Sequence, residues 1–294
     1  MRSVSRPAIV IAAFLVMPAL RDVEVSDEEG SNLPIAAVLV LMVGAGVMLG
    51  ALTDPSVWTA GLVVIGLAAT ILALRRVTPP GTLVARRGLP AASAAAFLAS
   101  AAYFGIDGFV TLMLTQVRGL SVGEAGIVLM AAAVMWAAGS WWQSRMIGRL
   151  GPRWLTSLGA LAIAVGGSVV ALGLLDVPIV IPYVGWALGS FGMGIVFPTI
   201  PLSVMSVVSE GTEAAELSST ILMDYLGVGI GAGLGGAWIA LADSGSISLE
   251  AGLAGAFGVG VAFALLLVFV GQRLPVAAPE PIAAQARDDT ESPV

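Results

Sequence analysis

Two aspartates stand where a charge is least at home. Asp107 lies in Tyr103-Phe104-Gly105-Ile106-Asp107-Gly108 and Asp224 in Met223-Asp224-Tyr225, each inside a long apolar run with no arginine of its own. An ionised aspartate at the centre of a bilayer costs about 2.5 to 3.5 kcal/mol on insertion scales, so each should face protein or a wet cavity. A carboxyl held in this way can take up and release a proton, which makes both residues candidates for proton coupling or substrate contact. The plainer role for each is to accept hydrogen bonds from neighbouring helices and fix their packing. Tyr103 and Trp136, with Phe104 and Phe109, are candidates to line an apolar cavity for a lipophilic molecule.

Other chemistry is thinly represented. The chain has no Cys and no His, which removes disulfide frameworks, thiolate and imidazole metal sites and Ser/His/Asp triads. No metal and no cofactor is implied. The formal net charge of −6 comes mainly from two acidic stretches, Asp22 to Glu29 and Glu280 to Glu291, so it describes a linker and a tail and points to no nucleic-acid partner.

The elements that must position the aspartates are apolar helices. Of 294 residues, 58% are hydrophobic and 11% charged, with a mean hydropathy of +0.99, which points to a lipid bilayer as the medium. Apolar runs bounded by charge or Pro/Gly predict spans over residues 34–52, 57–75, 90–114, 123–143, 153–174, 178–204, 214–242 and 250–271. Ala8 to Leu20 is a shorter run, about 20 Å as a helix against a hydrocarbon core of about 30 Å.

Arginine is the only basic residue type, and its placement orients the spans. With the segment after Leu20 inside, Arg21, the pairs Arg75/Arg76 and Arg86/Arg87, Arg145, Arg149, Arg153, Arg273 and Arg287 all fall on the cytoplasmic side, leaving Arg118 in an outer loop. The carboxy terminus is then cytoplasmic and the location the plasma membrane. Arg2 and Arg6 obey the same bias only if residues 8–20 lie at the inner interface. A signal peptide is the other reading of these first residues, but cleavage would place the two arginine pairs outside. Residues 1–33 thus read as a partial or interfacial helix with an acidic cytoplasmic linker, 34–76 as a pair of spans, 77–89 as a linker, 90–272 as a six-helix unit and 273–294 as a disordered cytoplasmic tail.

Small residues and prolines mark contacts and bends. Gly227, Gly231 and Gly235 repeat every four residues and line one helix face with no side chain, which suits close packing or a hinge. Gly185, Gly189, Gly192 and Gly194 make a second such surface. Pro198 and Pro201 each remove a backbone donor and should bend the span 178–204 near its inner end.

Local sequence adds a family resemblance. The stretch Thr115-Gln116-Val117-Arg118-Gly119-Leu120-Ser121, with Ala125-Gly126, resembles the outer loop after the first helix of the carboxy-terminal half in drug:proton antiporters of the major facilitator superfamily. Its Gln116, Gly119 and Ser121 carry the likeness, and Ser121 with Glu124 also has the spacing of a capping box. The segment from Gln143 to Arg153, with Arg145, Gly148, Arg149 and Arg153, resembles that superfamily's cytoplasmic signature loop. Ser144 stands where the signature has an acidic residue, which puts any charge-relay gate built on it in doubt. The glycine run around Asp224 is similar to the counterpart of the antiporter motif, without its central proline.

The resemblance implies an all-α, polytopic bundle of the 14-span type: a carboxy-terminal six-helix half preceded by two extra spans and a partial helix, with the earlier amino-terminal helices missing. It implies proton-coupled efflux of a small lipophilic molecule by alternating access. The partners would be the lipid bilayer, protons, the small-molecule substrate and a missing amino-terminal half, without which this chain would be incomplete. Two other classes stay open: a non-transporting membrane scaffold or decayed fragment, and an intramembrane aspartyl protease, which needs two buried aspartates sharing a proton. The protease pattern of Gly-x-Gly-Asp and Tyr-Asp is not matched at Asp107 or Asp224.

Overall fold

The computed structural model describes residues 44–46, 70–72, 74–75, 78–209 and 211–276. The expectations for residues 1–33 lie outside these, as do those for most of the spans 34–52 and 57–75 and for the tail beyond residue 276. Among the described residues all regular structure is helical, and five helices are long and apolar enough to cross a membrane.

Helix α1 spans Leu89–Leu112. It begins with Pro90 in its first turn, where the missing N–H costs nothing, and passes into a wide π-type turn, Met113–Val117. Helix α2, Val122–Ala171, is 50 residues long. At 1.5 Å per residue that is about 75 Å, more than twice a hydrocarbon core, and it is in fact two arms. They meet at Gly151, whose φ of 74° and ψ of 165° are non-helical. That positive φ favours glycine, and Pro152 starts the second arm with its ring pre-set for a helix. Helices α3 (Val180–Met205), α4 (Glu213–Asp243) and α5 (Leu249–Gly271) complete the bundle.

The segment from Gln143 to Arg153 therefore differs from the loop its polarity suggests. The first arm of α2 stays helical through Leu150, and the reversal is confined to one glycine. Gln, Ser and Arg are compatible with helix, and only a Gly-Pro pair breaks it.

Two seams hold the bundle together through backbone contact. Helix α3 is wedged between the arms of α2: a Cβ on Gly139 would collide with the Phe191 carbonyl, and one on Gly166 or Gly192 would meet the backbone of Gly185 and Gly189 or of Gly159. In the second seam, α4 lies along α1 in the same direction. Gly227 meets the Phe97 carbonyl, Gly231 the Ala101 backbone and Gly235 the ring of Phe109. Small residues let main chains approach in this way, and association in lipid relies on such contact. Helix α4 is continuous through its glycines.

Helix α3 likewise continues through Pro198 and Pro201. Pro198 cannot donate to the carbonyl of Gly194, one turn earlier, and Ser140 of α2 donates to that oxygen instead, at 3.0 Å. This is how a proline is tolerated within a membrane helix.

The two ends of the bundle are tied differently. At the arginine-rich end, Gly88 N donates to the Arg273 carbonyl at 3.0 Å, Arg153 Nε to the Leu274 carbonyl at 2.9 Å, and Arg273 to the carbonyls of Val84 and Ala85. At the opposite end, Arg118 donates to the carbonyls of Leu175 and Val177 in the α2–α3 connection and lies 4.0 Å from Asp176.

Candidate functional site

Helix α1 organises both aspartates. Asp107 is on it, and Asp224 of α4 is bonded to it through Ser100, whose hydroxyl donates to Oδ1. Ser100 and Asp107 are seven residues apart, two turns and about 10 Å along one helix face. Asp107 Oδ1 accepts from Trp186 Nε1 of α3 at 3.0 Å. Among the described residues neither carboxyl has an ion-pair partner. The two carboxyls thus have separate donors and do not share a proton as an aspartyl dyad would.

An aromatic wall stands between them. The fully buried ring of Trp186 stacks on Tyr103 with centroids 4.7 Å apart, and the Tyr103 hydroxyl lies 3.0 Å from Ser190 Oγ. Trp136 meets Tyr103 edge-on at 5.1 Å and Phe197 at 5.4 Å. Such edge and offset contacts suit ring quadrupoles and add about 0.5 to 1.5 kcal/mol each beyond area burial. Tyr103 is thereby held on three sides.

Each carboxyl lines its own cavity. Asp107 lies in one of about 370 Å³ with Tyr103, Phe104, Leu129, Ala132, Ala133 and Trp136, a volume within the range of small-molecule pockets. Its α2 wall includes Leu129 and Ala133, which are exposed, so the cavity opens on the outer face of α1 and α2. Phe109 is elsewhere, against Gly235. Asp224 lines a cavity of about 60 Å³ with Ala96, Ala99, Phe197, Ile200, Pro201, Thr220 and Ile221, room for water but not for an organic molecule. Phe197 belongs to this second cavity and touches Trp136 of the first, so the aromatic wall is common to both.

The remaining sequence candidates sit at the ends. Ser121 caps α2: Glu124 N donates to its Oγ at 3.3 Å and its own N–H donates to Glu124 Oε2 at 2.9 Å, the reciprocal pair of a capping box. Gly119 turns the chain with φ 67°, and Gln116 is exposed. On the helical extension of α2, Arg145 lies over the Trp141 ring, 3.7 Å from its centroid, a cation–π contact. Arg149 is exposed, and Gly148 would have open space around a Cβ. Sequence reasoning missed Ser100, Trp186 and Ser190 as partners. A signal for the first was present, since Ser100 precedes Asp107 by a full heptad.

No protein-family model matches the chain, and no curated protein matches it. Among solved structures it is similar to the crystal structure of the E. coli fucose:proton symporter FucP, at 19% identity and a TM-score of 0.47, over 72% of this chain and 54% of that one. The chain thus spans about half the length of that symporter.

Proposed function

We propose that this chain is a working half of a secondary transporter of the major facilitator type, moving a small lipophilic molecule out of the cell in exchange for protons. Alternating access would involve a second six-helix half placed over the open face of α1 and α2. The arginine-rich end would be cytoplasmic, and the membrane the plasma membrane, by the positive-inside argument.

One observation carries the reading: two carboxyls within apolar helices, Asp107 on α1 and Asp224 bonded to α1 from α4, each line their own cavity with a shared aromatic wall between them. The cavities differ enough to divide the labour. The larger, aromatic one at Asp107 suits substrate, and the smaller one at Asp224 suits a proton. The donors fit the same division. An indole N–H only donates, so Trp186 serves an acceptor oxygen of Asp107 whatever else changes, whereas the Ser100 hydroxyl can donate or accept and stays satisfied in either protonation state of Asp224. A non-transporting scaffold gives no reason for either cavity.

The test is dye-driven proton movement in inverted vesicles prepared from the cell's own membranes, where the full chain is present together with any second half it works with, using ethidium as the lipophilic probe. Addition of ethidium should collapse an imposed pH gradient, and Asp224→Asn should abolish the response. An absent response, or one unchanged with both Asp107→Asn and Asp224→Asn in place, overturns the reading.

A further inference from the structure

We infer that the part of the α1/α4 seam lying between Asp224 and the arginine-rich end is the route by which water and protons reach that carboxyl. This rests on the proposed role of Asp224 in proton coupling.

The register of the two helices fixes what lines the seam. Phe97 faces Gly227 and Ala101 faces Gly231, so residues one and two turns earlier on each helix continue the same contact. On α1 the stripe runs back from Ala101 through Phe97 to Ser93, which is also a full heptad before Ser100. On α4 it runs back from Gly227 through Met223 to Ser219, five residues and about 7.5 Å before Asp224. Both serines are thus in the seam, between Asp224 and the arginine-rich end.

Their hydroxyls are shut away from solvent. Ser93 is 1% exposed and Ser219 4%, and among the described residues neither Oγ has a hydrogen-bond partner. A serine within a helix can turn its hydroxyl to the carbonyl of the preceding turn, as Ser168 does with Ala164. Two buried hydroxyls that do not, in a low-dielectric seam, each carry a desolvation cost that mobile water would relieve. The adjoining face of α4 leads the same way. Glu216, in its first turn and half-exposed, is followed one turn later by Thr220, which lines the Asp224 cavity, and one turn after that by Asp224 itself. A carboxylate at the mouth, hydroxyls along the seam and a carboxyl at the end form a graded polar path through an otherwise apolar bundle.

The chain contains no cysteine, so introduced thiols can be read without background. Ser93→Cys, Ser219→Cys and, as a fully buried apolar control on the same helix, Ala92→Cys are each made in the full chain. Inverted vesicles are exposed to silver ion, a probe small enough for a water path, then denatured and titrated for free thiol with a fluorescent maleimide. The seam thiols should be protected several-fold faster than the control. Protection at the control's rate overturns the route. The readout involves no transport, so its failure is distinct from a failure of the transport reading, which Asp224→Asn tests.

Discussion

Asp107 and Asp224 are the same residue type, set about two helix turns apart along α1, but their donors and the spaces they face differ. Asp107 is held by a donor-only indole on a buried, stacked ring and opens on a cavity of about 370 Å³. Asp224 is held by a hydroxyl that works in both directions and opens on about 60 Å³. Sequence position distinguishes them little. The size of the space and the kind of donor decide which ligand each can serve, and both are set by the neighbouring helices.

Exchanging each carboxylate for its amide should separate the two sites by the widest margin. Asp224→Asn should remove proton coupling entirely while leaving ethidium binding, followed by fluorescence, near its original strength. Asp107→Asn should weaken that binding by at least about tenfold through loss of a charged, hydrogen-bonded group. Equal effects of the two variants on both readouts would erase the division.

Removing the donors should have smaller effects. Ser100→Ala leaves Asp224 without its donor and should cost about 1 to 2 kcal/mol in the proton step, roughly a tenfold slowing in stopped-flow measurements of pH-gradient collapse. Ser100→Thr restores the hydroxyl and should recover most of the rate. Trp186→Phe keeps a ring against Tyr103 but deletes the N–H, and should raise the ethidium Kd several-fold, about 1 kcal/mol, with proton exchange at Asp224 intact. The mildest change is Ser140→Ala, which touches neither carboxyl. It leaves the Gly194 carbonyl unpaired beside Pro198 and should lower thermal stability by about 0.6 kcal/mol, with both functional readouts unchanged.

The helices were legible because hydrocarbon imposes a length. The runs 178–204 and 250–271 fall within two residues of Val180–Met205 and Leu249–Gly271. The polar stretch after Gln143 was not, since leaving the apolar core does not oblige a helix to end, and only Gly151 stops it. The aspartates stood out by being charged in an apolar setting, and the glycine repeat by its period. Their partners did not stand out, because the register that brings Ser100 to Asp224 and Trp186 to Asp107 is a property of helix pairs, which no single run of sequence contains.

The π-type turn at the end of α1 has a geometric consequence. Arg118 follows Asp107 by eleven residues, which in a regular α-helix is three turns to within about 20° and would set the guanidinium above the carboxyl's side of the bundle. The turn at Met113–Val117, closed by Arg118 N donating to the Met113 carbonyl at 3.1 Å, inserts a residue and shifts the rotational phase by roughly 100°. That offset swings the cation away to grip the neighbouring connection. Closing that turn to the regular α spacing with every residue kept would rotate the guanidinium back toward the carboxyl's side of the bundle and release the connection it now fastens.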